Sequence, residues 1–151
     1  MNELKVSAIK EGTVIDHIQA GKGLKVIEIL KLNRTNGKTV LLAMNVQSKK
    51  LGRKDIVKVE GKFLSEEEVN KIALVAPKAT VNIIKDFKVV EKFSVEIPSE
   101  IGGILKCANP NCISNSEYTT SKFYVISKEP LKVRCHYCER TMDEGDILSN
   151  L

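Results

Sequence analysis

Four cysteines, Cys107, Cys112, Cys135 and Cys138, are the only ones in this chain of 151 residues, and they fall in two close pairs, CANPNC and CHYC. Two short chelating loops of soft, anionic thiolates suit one tetrahedral Zn²⁺ held by four sulfurs. Four protein ligands leave no open coordination position, so such a centre is structural rather than catalytic. His136, inside the second pair, is expected to stand exposed on the knuckle, because the cysteines already complete the shell. Two disulfides are the alternative. No apolar run approaches the roughly 20 residues of a membrane span, and the N-terminus MNELKVSAIK lacks the apolar centre of a signal peptide. The expected compartment is therefore the cytoplasm, where paired cysteines more often hold metal than disulfides. The tail of about 50 residues is too small to stabilise itself well by core burial, whereas coordination can supply about 10–16 kcal/mol of folding free energy.

Little else in the chain suggests catalysis. There are two histidines, and one of them, His17, follows Asp16 in a strand, where neighbours point to opposite faces. Neither a P-loop nor GxGxxG occurs, and no cysteine is spare as a nucleophile. Nucleophile, base and oxyanion donors are not assembled, so a binding or regulatory module is the expected class. Charge is uneven: residues 1–98 hold 18 Lys+Arg against 12 Asp+Glu, net +6, and residues 99–151 hold 6 against 7, net −1. The basic excess can recruit phosphates, on nucleic acid or on a nucleotide; a solvated lysine-rich surface is the plainer reading. A zinc-ribbon nucleic-acid-binding protein is one alternative. It is poorly supported, because Phe63, Phe87 and Phe93 are the only aromatic residues in the first 98 and make no stacking platform. A pocket for one nucleotide needs only one or two lysines, a histidine and backbone groups.

The elements that must position these groups are legible from periodicity. VIDHI (14–18) predicts a strand, and GKGLKVIEILKLN a helix with Lys25, Glu28 and Lys31 on one side and Val26, Ile27, Ile29 and Leu30 on the other. After an Asn36-Gly37 turn signal, TVLLAMNV (39–46) predicts a buried strand. The polar loop QSKKLGRK leads to DIVKVE (55–60), which alternates with Val57 and Val59 on one face and Ile56, Lys58 and Glu60 on the other. Ser65 to Glu68 fits a capping box, opening a helix that Pro77 stops. ATVNII and KVVEKFSVEI predict two more strands. The order strand, helix, strand, strand, helix, strand, strand gives an α+β fold: a split-βαβ, ferredoxin-like sheet with an extra strand and two helices on one face. Pro98 and Gly102-Gly103 mark a boundary or hinge, with a small β zinc-binding domain beyond (FYVIS, LKVRC).

The segments AIKEGTVIDHI (8–18), GRKDIVKVE (52–60), FLSEEEVNKIALVAPKATVN (63–82), CANPNCIS and CHYCE, in this order, closely resemble the regulatory subunit of aspartate carbamoyltransferase. The resemblance covers nearly the whole chain, including the unusual first cysteine spacing. It implies a non-catalytic allosteric chain with two domains: 1–98 binding nucleotide effectors (CTP, ATP and also UTP) and 99–151 binding zinc. It implies a homodimer through the N-terminal domain, zinc domains that dock the catalytic trimers of pyrimidine biosynthesis, and no nucleic-acid or membrane partner. Carried over residue by residue, Ala8, Ile9 and Lys10 match the wall where backbone meets the base. Val14, Asp16 and His17 match the first strand, with His17 near the phosphates. Lys54, Ile56 and Lys58 match the third strand and its approach, with Lys58 reaching ribose and base. Asn82, Ile84, Phe87, Val89 and Lys92 complete the pocket, Lys92 serving the triphosphate. Phe87 stands where some relatives have tyrosine. Asn111, Glu139 and Arg140 match positions near the catalytic-chain contact. Ile56, Lys58, Asn82 and Ile84 share one strand parity. Asp16/His17 and Val89/Lys92 do not, so a strand end or bulge is expected at each.

Overall fold

The computed structural model describes residues 9–34, 37–116 and 119–151; Ala8 and Asn36 lie outside them. The chain divides between Glu96 and Ile97 into two compact units, each with its own sheet. The first unit runs β1 (Gly12–Gln19), α1 (Gly23–Ile29), β2 (Val40–Ser48), β3 (Gly52–Glu60), α2 (Glu66–Val75), β4 (Thr80–Lys85) and β5 (Lys88–Ser94). Its strands lie in the order β2-β3-β1-β4-β5, each antiparallel to its neighbours. β1 and β2 are thus parallel with β3 inserted between them. This is the expected split βαβ arrangement, with β5 as the added strand.

Strand alternation sets the two faces. Thr13, Ile15 and Ile18 of β1, Val57 and Val59 of β3 and Val81 of β4 are fully buried, as are Val26 of α1 and Ile72 and Ala73 of α2. Burying each of the Val and Ile side chains among them contributes about 1.5–3 kcal/mol. The alternate residues Val14, Ile56, Lys58 and Asn82 are half-buried on the opposite face. α2 begins as its sequence requires: Glu68 N–H donates to Ser65 Oγ at 3.2 Å, and Ser65 N–H donates to Glu68 Oε1 at 3.0 Å. Three glutamates in its first turn suit the helix dipole.

Three sequence expectations are corrected. β2 is not a buried strand; it is an edge, with Ala43, Met44 and Asn45 exposed, because an apolar run does not say whether a strand gains one neighbour or two. The loop 47–54 shrinks to a turn, and Lys54 lies inside β3. α1 ends at Ile29 and Lys31 turns to φ +55, so Lys31 leaves the helical row, while Lys25 and Glu28 remain paired at 3.8 Å.

Asp55 locks this unit together. It is fully buried. Its Oδ2 accepts the N–H groups of Gly21 (3.1 Å) and Gly23 (2.9 Å), and its Oδ1 accepts that of Asn45 (3.1 Å). One carboxylate therefore fixes the start of α1 and the β2 bulge. Gly23 has to lack a side chain here, because a Cβ would lie 2.7 Å from Leu42 Cδ1 and 2.8 Å from Asp55 Oδ2.

The second unit is a sheet of β6 (Glu100–Gly102), β7 (Lys122–Lys128), β8 (Leu131–Cys135) and β9 (Thr141–Met142), followed by α3 (Glu144–Ser149). Its apolar core is small: Ile101, Leu105, Phe123, Leu131, Val133, Met142 and Ile147. No described helix is long and apolar enough to cross a membrane.

Candidate functional site

In the second unit the two cysteine loops meet. The four sulfurs lie within 4.8 Å of one another, with Cys107 to Cys138 at 3.8 Å and Cys112 to Cys135 at 3.5 Å. An ion bonded tetrahedrally to four sulfurs at about 2.3 Å would space them about 3.8 Å apart, so the donor set and its dimensions fit one metal ion. Cys107, Cys112 and Cys135 are buried and Cys138 is partly exposed. Burial and neighbouring sulfurs push the Cys107 thiol up to about 12, despite an opposing hydrogen bond from the Asn109 backbone. Burial also raises Cys112, but hydrogen bonds from Ser114 outweigh it and bring that thiol down to about 7. Cys135 is likewise raised by burial; in Cys138 burial is outweighed by hydrogen bonds from the Arg140 backbone and the Asn109 side chain. Four thiols so close cannot all ionise without a cation between them.

The loops are held from within. Cys112 N–H donates to Asn109 O at 3.0 Å, and Asn115 Nδ2 donates to the carbonyls of Cys107 (3.2 Å) and Asn109 (2.8 Å). His136 is exposed, as the sequence implies, and shares a 2.7 Å hydrogen bond with the Tyr124 hydroxyl. Asn111, Glu139 and Arg140 stand exposed on the two knuckles.

Most of the described residues expected to meet the effector collect on the face of the first sheet opposite its core; Ile9 and Ile84 among them are buried, at 7% and 8% exposure. Strand register places Lys58, Val14, Asn82 and Lys92 in one cross-strand row, from β3 through β1 and β4 to β5. The Asn82 amide donates to Val14 O at 3.3 Å within that row. On one side of it Ile84 pairs with Gly12 and with Val89. At that rim Asp86 and Phe87 take positive φ in a two-residue hairpin turn, and Phe87 N–H donates to Lys10 O at 3.0 Å, which brings the segment of Ile9 and Lys10 alongside.

On the other side of the row lie Ile56, Asp16, His17, Lys54 and Thr80. The β1–β3 register shifts between Ile15 and Ile18, with His17 at φ +56, so Asp16 and His17 both escape the core. The β4–β5 register shifts between Ile83 and Ile84, which brings Val89 and Lys92 to one parity. Both irregularities occur where the residues expected at the site depart from strand alternation. Lys54 Nζ lies 2.9 Å from Asp16 Oδ1, and His17 Nδ1 shares a 3.1 Å hydrogen bond with Thr80 Oγ1. Thr80 is not singled out by the sequence; the β1–β4 register, which sets it opposite Asp16, brings it to His17.

A family model described as the aspartate carbamoyltransferase regulatory chain, allosteric domain, matches residues 4–96, and a second, for the metal binding domain of the same chain, matches residues 99–148. Aspartate carbamoyltransferase regulatory chains from Pyrococcus abyssi and Thermococcus onnurineus are 82% and 78% identical to this chain, each alignment spanning 100% of both proteins. The one from Thermofilum pendens is 54% identical over 98% of this chain and 94% of its own. A sheet unit matching the allosteric domain, a four-sulfur unit matching the metal-binding domain and end-to-end likeness to such relatives lead to one conclusion: the chain belongs to the family of aspartate carbamoyltransferase regulatory chains.

Proposed function

We propose that the open face of the first sheet binds CTP, ATP and UTP as competing effectors, and that the cysteine unit holds one structural zinc and docks the catalytic subunit. The chain is a regulatory chain and not the catalytic subunit. The observation that carries the nucleotide reading is the single row of Lys58, Val14, Asn82 and Lys92. Two cations at its ends, with an amide and an aliphatic side chain between, suit an anionic ligand with a flat, partly apolar body. The base would lie against Ile9, Lys10 and the Ile84–Val89 rim, and the phosphates would be drawn to Lys92 and His17.

A zinc ion held in the cysteine unit would cross-link its two cysteine loops. Cys107, Cys112, Cys135 and Cys138 would hold it, and Asn111, Glu139 and Arg140 on the same loops would face the catalytic trimer. In this reading residues 1–98 sense the effector and residues 99–151 deliver the response, in a cytoplasmic assembly whose regulatory chains pair through their N-terminal domains. A coupling free energy of about 1–3 kcal/mol between the nucleotide and the catalytic chain would suffice.

The test is chelation of the full chain. Loss of zinc should abolish capture of the catalytic subunit while calorimetry still detects CTP binding. Retained capture would contradict the docking role, and the absence of any nucleotide heat in the untreated chain would contradict the effector role.

A further inference from the structure

We infer that Ser114 is a positioning residue of the metal centre, its hydroxyl donating to the Cys112 sulfur and slowing loss of the metal. The inference rests on the zinc reading above. Ser114 lies in the 3-10 turn Ile113–Asn115, two residues after Cys112, and is only 8% exposed. Its Oγ stands 3.1 Å from Cys112 Sγ, and its backbone N–H reaches the same sulfur. A buried hydroxyl needs a partner, and here the sulfur provides it. The four sulfurs are not equivalent in this respect. Backbone N–H groups serve Cys107 and Cys135, whereas side chains also reach Cys112, from Ser114, and Cys138, from Asn109.

Asn109 cannot be tested cleanly, because its side chain also accepts Asn111 N–H at 3.1 Å and shapes the loop. Ser114 isolates one bond. Groups that hydrogen-bond a metal ligand fix its orientation and tune its donor strength, and removing one typically costs 10–100-fold in metal affinity. With the hydroxyl gone, Cys112 keeps its place in the loop, but its sulfur is held only by backbone. It swings away from the metal more readily, and while bound it donates more charge.

The experiment uses the full chain as wild type, Ser114→Ala and Ser114→Thr. Metal analysis of the wild type comes first. Zinc transfer to a chromophoric chelator should be about tenfold faster for Ser114→Ala and within about twofold of wild type for Ser114→Thr, which keeps the hydroxyl. In the Co²⁺-loaded proteins the thiolate-to-metal charge-transfer band should move to longer wavelength in the alanine variant alone, a shift that mere loosening of the fold would not produce. An unchanged transfer rate with an unmoved band would overturn the role of Ser114 while leaving the zinc reading intact. So would a threonine variant that releases zinc as fast as the alanine variant. A wild-type chain that holds no metal would overturn both.

Discussion

Replacing Lys92 by alanine removes one end of the row that crosses the open sheet face. Lys58 and Lys92 are separated along it by three strand spacings, or about 14 Å between backbones at about 4.8 Å each. Two lysine side chains reaching inward can therefore touch one extended ligand at different points. A hydrogen bond to a charged group contributes about 1.5–3 kcal/mol. Lys92 is exposed, so water and salt screen its charge, and the loss should fall at the lower end, about 1.4 kcal/mol or tenfold in Kd. Titration calorimetry of the full chain and of Lys92→Ala, with CTP and with cytidine, measures this. The triphosphate should lose about tenfold and the nucleoside almost nothing, and the difference should shrink as salt is raised. Equal losses for CTP and cytidine would refute the assignment of Lys92 to phosphate.

Three further outcomes follow from the fold. Asp55→Ala strands three backbone donors and should cost about 3–5 kcal/mol of unfolding free energy, with Asp55→Asn milder; a loss below about 1 kcal/mol in denaturant titration would show that the carboxylate does not anchor α1. Burial alone would raise Glu68, but hydrogen bonds from Ser65 and the Lys62 ammonium at 3.2 Å hold its carboxyl below the usual carboxylate value. A depressed folded-state pKa contributes stability above the unfolded pKa, about 4.3, that is lost as pH falls through the folded value. Glu68→Gln should therefore flatten the stability profile below about pH 4, and an unaltered profile there would contradict the pairing. Because the Cys107 and Cys135 thiols are raised, zinc loading near pH 7 should release at least those two protons, measurable as a buffer-dependent calorimetric heat; a buffer-independent heat would contradict a tetrathiolate.

Much of this architecture is written locally. The capping box at Ser65–Glu68 and the Val57/Val59 alternation each rest on contacts within a few residues, and both stand in the structure as the sequence implies. Asp16/His17 and Val89/Lys92, residues named by the resemblance, do not fit one ideal face each and so call for a strand end or bulge, and register shifts occur at both places. What escaped depends on distant partners. The edge position of β2 is decided by which strand pairs with β3. The short strands β6 and β9 exist only because β7 and β8 offer free edges. α3 was missed although Asp143 and Asp146 form a reciprocal capping box, a signal weakened by its use of aspartate where glutamate is usual. The anchoring role of the buried Asp55 is not legible locally, because nothing nearby in sequence reveals that Gly21, Gly23 and Asn45 converge on it.

The central claim is that nucleotide and catalytic states are linked through this chain, and linkage is reciprocal. The most direct measurement is CTP affinity of the assembled complex with its catalytic subunit, with and without a saturating substrate analogue, set beside the analogue's affinity with and without CTP. The account predicts that both affinities change by the same factor. Tight binding of each ligand with no effect on the other would contradict it.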